Sequence, residues 1–112
     1  MSQITSHILD TTRGTPAQGV LILLFQQHNN DWIEIGRSTT NSDGRVTDLL
    51  ETDVTMQAGI YKLKFEVKPY YDQLSIKTFY PFIEIIFEIN STEHYHVPLL
   101  LNPFGYSTYR GS

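Results

Sequence analysis

The sequence predicts an all-β fold, an antiparallel eight-stranded β-sandwich with one short helix. Several short segments alternate apolar and polar residues, which is the pattern of strands with one buried and one exposed face. Turn-forming residues separate these segments at 13–16, 28–31, 41–44, 90–92 and 102–103. Many short strands divided by regular turns are typical of a sandwich.

The expected strands lie near residues 4–10, 18–28, 31–39, 45–49, 59–67, 82–89, 94–101 and 104–110. The second is apolar on both faces from Val20 to Phe25, as a central strand would be, and the third starts near Trp32 after a polar turn. The fifth alternates apolar residues with lysines and a glutamate. The sixth has four apolar residues on one side, and Phe82 and Ile86 on the other side predict that this second face is partly covered.

The remaining elements carry single informative residues. The fourth strand begins at Arg45, directly after a turn that ends in Gly44. The seventh contains Pro98, which has no amide hydrogen to donate, so one side of that strand should be open or bulged there. The eighth is a β-prone edge that could pair with another subunit. Between the fifth and sixth strands, residues 69–74 start with Pro69, which suits a first helical turn, and predict one short helix.

Composition limits the class of protein. The 112 residues provide for one domain, expected to be residues 1–112, and no linker or internal repeat divides them. The net charge of -4 without a basic cluster argues against nucleic acid or an anionic membrane as a partner. The sequence has no cysteine, no recognisable export signal and no apolar run long enough to span a bilayer. We therefore expect a cytoplasmic protein.

The four histidines divide into two pairs. His28 and His94 lie at a turn and at a strand entrance, where a solvated side chain is the simplest interpretation. His7 and His96 lie inside expected strands, where an imidazole is either a satisfied core residue or a catalyst. The His-x-His pair of His94 and His96 is a poor metal signal, because no third, carboxylate ligand accompanies it at a suitable spacing in the sequence.

Two arginines have a distinctive context. Arg45 follows a tight turn, and its planar guanidinium would suit the oxyanion or imide-like edge of a polar heterocycle. Arg110 could do the same, or could pair with a carboxylate across an interface. From the residues alone, a simple charge at the start of a strand is the favoured interpretation of Arg45.

Four motifs add a resemblance that runs from about Ile4 to Ser112. They are Ser6-His7-Ile8-Leu9-Asp10, Ser42-Asp43-Gly44-Arg45, Tyr95-His96-Val97-Pro98 and the terminal Tyr109-Arg110-Gly111-Ser112. Together they resemble the 5-hydroxyisourate hydrolases, the transthyretin-related enzymes of urate breakdown. The terminal tetrapeptide is the most specific of the four, because transthyretin itself lacks it.

The resemblance implies a transthyretin-like fold, a reaction and a set of residues. The reaction is the hydrolysis of 5-hydroxyisourate to 2-oxo-4-hydroxy-4-carboxy-5-ureidoimidazoline, without metal or other cofactor. It further implies a homotetramer, a dimer of dimers whose sites lie in a channel between dimers. The implied catalytic residues are His7, His96 and Ser112, and the implied substrate-binding residues are His7, Arg45, His96, Tyr109, Arg110, Gly111 and Ser112.

Two other classes of protein share this sandwich pattern. A transthyretin-like carrier would bind small aromatic ligands in a tetramer channel, without need of a histidine pair. An adhesive or structural sandwich would leave the four implied positions, His7, Arg45, His96 and Ser112, scattered over the molecule.

Overall fold

Two β-sheets pack face to face in the computed structural model, which describes residues 2–111. Their strands are β1 Ile4–Asp10, β2 Thr15–Pro16, β3 Leu21–His28, β4 Asp31–Thr39, β5 Arg45–Val46, β6 Gly59–Glu66, β7 Ile83–Ile89, β8 Tyr95–Asn102 and β9 Gly105–Thr108. One sheet has the order β2-β1-β8-β9, with β5 also paired to β1, and the other has the order β4-β3-β6-β7. The all-β fold is confirmed. The described residues form nine strands instead of eight, because the turn after β1 folds back as the short β2.

One strand pair differs from the antiparallel expectation. β1 and β8 run parallel, with Ile4 opposite Tyr95 and Asp10 opposite Leu101. The other strand pairs of the described residues are antiparallel. Hairpins force neighbouring strands to be antiparallel, but β1 and β8 are joined through most of the chain and can adopt either direction. Alternation within each strand carries no information on this choice.

The core lies between the inner faces of the two sheets. Buried side chains form one continuous cluster that draws on both sheets and on the helix. The buried side expected in β6 is confirmed, since Tyr61, Leu63 and Phe65 are fully buried, but Lys62 on the other side is buried as well. Removing a side chain of this size from water contributes about 1.5–3 kcal/mol. Phe82, just before β7, and Ile86, on its outer face, are exposed in the single chain, so the predicted partial cover of this face remains a prediction.

The helix α1, Val67–Gln73, closes one end of the core. It starts two residues before Pro69, which therefore still lies in the first turn, where a missing amide costs no helical hydrogen bond. Its inward residues are Val67, Tyr70 and Tyr71, and the Tyr70 hydroxyl donates to Asp10 Oδ2 at 2.7 Å. Within residues 2–111, no helix has the length and apolar character that crossing a membrane requires.

Candidate active site

The turn before β5 places Arg45 beside His7. In the pairing of β1 with β5, His7 lies directly opposite Arg45. Gly44 makes this approach possible: its φ is +72°, and a Cβ there would lie 2.6 Å from the carbonyl oxygen of Ile8. The Gly44 carbonyl instead accepts a hydrogen bond from the Ile8 amide at 2.8 Å. Asn41 fixes the turn, because its Oδ1 accepts from the Arg45 amide at 3.0 Å.

The parallel pairing of β1 with β8 adds His96 to the same face. Thr5 lies opposite His96, and the Thr5 Oγ1 is 2.7 Å from His96 Nδ1. The same hydroxyl is 2.9 Å from His94 Nε2. The rings of His94 and His96 are nearly parallel, with an interplanar angle of 23° and centroids 6.4 Å apart. Since residues of one strand that are two apart share a face, His94, His96 and Pro98 lie on one side of the sheet.

The chain's last residues return to His96. Pairing between β8 and β9 ends at Leu99 opposite Thr108 and resumes only as an isolated bridge between His96 and Gly111. This gap next to Pro98 is the open side that the sequence predicts. The Gly111 amide donates to the His96 carbonyl at 2.8 Å. The backbone of the tail is thereby held directly beside the His96 ring.

Burial and positive charge hold both imidazoles in the neutral form. The pKa of His7 lies below its usual 6.5, mainly because the ring is desolvated and also because Arg45 is near; the Asp43 backbone and carboxylate oppose the shift. The pKa of His96 is lowered by desolvation first and then by Arg45, His94 and His7. The mutual influence of these groups follows from their shared position. Near neutral pH the site therefore presents two uncharged imidazoles and one guanidinium.

Tyr109 and Arg110 point away from the histidine face. The Arg110 guanidinium pairs with the Glu93 carboxylate of the same chain and lies 4.4 Å from the centroid of the Tyr95 ring. Both tail residues line a separate cavity of about 300 Å³, together with Tyr95 and Phe87. The sequence left open whether Arg110 pairs with a carboxylate across an interface. In the structure it pairs with a carboxylate of its own chain. Ser112 lies outside the described residues.

Thr5 and His94 are not among the site residues that the sequence predicts. His94 is exposed, as expected for a residue at a strand entrance, but its ring contacts Thr5 and stacks on His96. The His-x-His spacing of His94 and His96 could have predicted that the two rings are neighbours, because it places both on one strand face. His28, expected in a turn, is the exposed last residue of β3.

The histidine site is an open face and not a deep pocket. A larger cavity, about 1220 Å³, lies elsewhere, and it is lined by residues 47–52 and 54–57 with Gln26, Ile35 and Tyr61. That cavity contains no histidine or arginine, so we place no chemistry there. Among residues 2–111, no group of three His, Asp or Glu side chains is arranged to hold a metal ion.

Solved structures with the same fold define the class of this protein. Transthyretin of sea bream, crystallised with thyroxine, superposes with a TM-score of 0.91 at 29% identity, covering 97% of this chain and 94% of that one. The 5-hydroxyisourate hydrolase of Klebsiella pneumoniae superposes with a TM-score of 0.85 at 32% identity, covering 97% and 98%. The protein is thus a transthyretin-like β-sandwich, and one that carries two histidines and an arginine on an outer sheet face.

Sequence comparison gives the family. The model of the HIUase/Transthyretin family matches residues 4–111. A probable 5-hydroxyisourate hydrolase of Caenorhabditis elegans is 47% identical over 112 residues, covering 99% of this chain and 82% of that protein. The 5-hydroxyisourate hydrolase of Mus musculus is 43% identical, covering 99% and 96%. The chain belongs to the HIUase/Transthyretin family.

Proposed function

We propose that this protein hydrolyses 5-hydroxyisourate to 2-oxo-4-hydroxy-4-carboxy-5-ureidoimidazoline, a step of urate breakdown. The observation that carries the proposal is the convergence of His7, Arg45 and His96 on one outer face, since a carrier of aromatic ligands has no use for two neutral imidazoles beside a guanidinium. Relatives that match nearly the whole chain, from nematode, mouse and bacteria, are named 5-hydroxyisourate hydrolases. These names favour the hydrolase over the carrier and over a sandwich without a ligand.

The reaction needs a base, a site for negative charge and an acid. His7 is neutral near pH 7 and can take a proton from the attacking water. Arg45, opposite His7, can bind the carbonyl oxygen on which negative charge develops, and its planar fork fixes the ring edge. His96 then supplies the proton that the departing nitrogen requires. None of these steps uses a metal or another cofactor, so activity is expected to survive a chelator.

The terminal tetrapeptide completes the proposed site. Gly111 lies against the His96 ring, which supports a role for this end of the motif at the histidine face. We assign Ser112 the role of positioning water or a histidine. Tyr109 and Arg110 face the neighbouring cavity, and we assign them to substrate binding at the edge of the site. The pair of Arg110 with Glu93 would hold the tail in register.

The assembly proposed from the sequence is a homotetramer of this single domain, residues 1–112, in the cytoplasm. β7 and β9 lie at the free edges of the two sheets. They, or residues next to them, expose Phe82, Ile86, Phe104 and Tyr106. Exposed apolar side chains beside unpaired strand edges favour association with further copies of the chain. The outer histidine face would then be covered by a second dimer, which turns an open surface into a channel.

The test of the function is direct. Freshly generated 5-hydroxyisourate is followed by ultraviolet absorbance with and without the protein, and with chelator present. We expect decay well above the spontaneous rate in both protein samples. If 5-hydroxyisourate decays at the spontaneous rate in the presence of folded protein, the proposed function is wrong. Light scattering of the same sample tests the tetramer separately, because a fully active monomer contradicts it.

A further inference from the structure

Thr5 is held between two imidazoles on the outer face. Its Oγ1 lies 2.7 Å from His96 Nδ1 and 2.9 Å from His94 Nε2. A hydroxyl has one hydrogen, so Thr5 can donate to only one of these rings and must accept from the other. The protonation of His96 at Nδ1 and of His94 at Nε2 is therefore linked through Thr5.

His96 needs such a link if it acts as an acid. Burial and the nearby Arg45, His94 and His7 lower its pKa, so the ring is neutral near pH 7. A neutral imidazole that gives up its Nε2 proton becomes an imidazolate, unless Nδ1 gains a proton in the same step. Thr5 is the hydrogen-bond partner of Nδ1. His94 is exposed, so water can reach its ring.

We propose that Thr5 and His94 form a proton relay that lets His96 act as the general acid; this inference rests on the hydrolase function proposed above. Neither relay residue touches substrate, and both act through His96. The relay starts with His94 charged, the Thr5 hydroxyl pointing at His96 Nδ1, and the His96 proton on Nε2. As the C–N bond breaks, His96 Nε2 gives its proton to the departing nitrogen. The Thr5 hydroxyl gives its proton to His96 Nδ1, and His94 Nε2 gives one to Thr5.

The cycle closes without a further reactant. At the end of the step His7 holds the proton taken from water, while His94 and His96 are both neutral with their protons on Nδ1. The proton of His7 then passes to His96 Nε2, and the relay runs backwards until His94 is charged again. Each proton that leaves one atom is therefore received by another, and the net reaction consumes one water.

The surroundings of the relay suit this role. The charged and titratable groups that face His96 are His7 on β1, Arg45 on β5 and His94 just before β8. All three lower the pKa of His96. His94 lines a surface cavity of about 570 Å³ with Gln3 and Thr92, so water can reach its ring. Thr5 itself is 3% exposed, so its hydroxyl is shielded from competing water.

The first test replaces the Thr5 hydroxyl. Thr5→Val keeps the shape and the β-branch but removes the hydroxyl, and Thr5→Ser keeps the hydroxyl. In metal sites, loss of the group that hydrogen-bonds a ligating histidine typically costs about 10- to 100-fold in activity. By analogy, we expect kcat to fall by a factor of that order in Thr5→Val and to be largely retained in Thr5→Ser. Thr39→Val, at an exposed position of β4 in the other sheet, is the matched control. The melting temperature and the tetramer are measured alongside.

The second test removes the His94 ring and replaces it with imidazole added to the solution. His94→Ala should lose about 10- to 100-fold in kcat, and added imidazole should restore much of that loss by donating to Thr5 in place of the missing ring. Imidazole should not restore Thr5→Val, because the middle member is absent. His28→Ala, at an exposed turn far along the chain, should keep full activity with or without imidazole.

Each outcome decides one point. Wild-type protein that does not hydrolyse 5-hydroxyisourate contradicts the function itself. Active wild-type protein with an equally active Thr5→Val or His94→Ala variant contradicts the relay alone. A loss in His94→Ala that imidazole leaves unchanged also contradicts the relay, because it assigns His94 a packing role.

Discussion

Replacement of Gly111 by alanine should disable the site with little effect on the fold. An added Cβ at this position would lie 2.6 Å from His96 Cδ2, 3.3 Å from His96 Cγ and 3.4 Å from Pro98 Cγ. Ordinary contact begins near the last of these distances, so the His96 ring or the tail must move by about 0.8 Å. The ring is held on its other side by Thr5, and the tail by its hydrogen bond to the His96 carbonyl.

The expected magnitudes follow from that displacement. A misplacement of about 1 Å can cost about 100-fold in rate, so kcat/KM should fall by about 100-fold, which is about 2.7 kcal/mol of transition-state stabilisation. The loss of stability should be smaller. Freeing the tail breaks one backbone hydrogen bond at the molecular surface, worth about 1 kcal/mol, which lowers Tm by about 3–5 °C.

The assay combines ultraviolet absorbance of 5-hydroxyisourate with thermal melting and light scattering. Gly105→Ala is the matched control, since a Cβ there meets only the Asn102 side chain at 3.5 Å or more. The control should keep both activity and Tm. Gly111→Ala protein with the wild-type kcat/KM would refute the reasoning, as would a variant whose lost activity is matched by loss of the tetramer.

Three further predictions concern the same face. His7→Ala and His96→Ala should each lower kcat by about 100-fold or more, because general acid–base groups contribute about 10²–10⁴; a near-normal rate with the tetramer intact excludes that histidine from the mechanism. Arg45→Lys should be severely impaired in kcat/KM, because lysine keeps the charge and loses the fork; wild-type kcat/KM would show that charge alone suffices. The pKa of both histidines is lower in the folded protein than the 6.5 of the unfolded chain, so the unfolded chain binds more protons in the acid range. Stability should therefore fall as the pH drops below about 6.5, as measured by denaturant unfolding on either side of that value. A His7→Gln/His96→Gln protein should lose part of this dependence, and an unchanged slope would contradict it.

Most of the fold could be predicted from local patterns in the sequence. Alternation located each of the longer strands to within a few residues, because the side chains of a strand face two sides in turn whatever its neighbours are. The helix was placed correctly by Pro69, although it begins two residues earlier at Val67. The candidate site residues could be named because their motifs are local in sequence. Thr5, His7 and His96 could likewise be assigned to outward or inward faces within their own strands.

The pairing between distant strands could be determined only from the tertiary structure. The parallel register of β1 with β8 joins segments at opposite ends of the chain, and it alone places Thr5 opposite His96. A shift of one residue would turn Thr5 away from that ring. The partner of Arg110 was equally undetermined, because a guanidinium can reach many carboxylates and only the folded tail selects Glu93.

The sequence by itself determined the kind of fold and the kinds of groups available: strands, a turn that can deliver Arg45, two histidines inside strands and a glycine before the final serine. Only the tertiary structure decided that His7, Arg45 and His96 share one face and that an exposed His94 reaches the last of them through Thr5. The physical reason is that the face on which a side chain lies is fixed within its own strand. The residues that it contacts depend on the register between strands, which is set by the packing of the whole core.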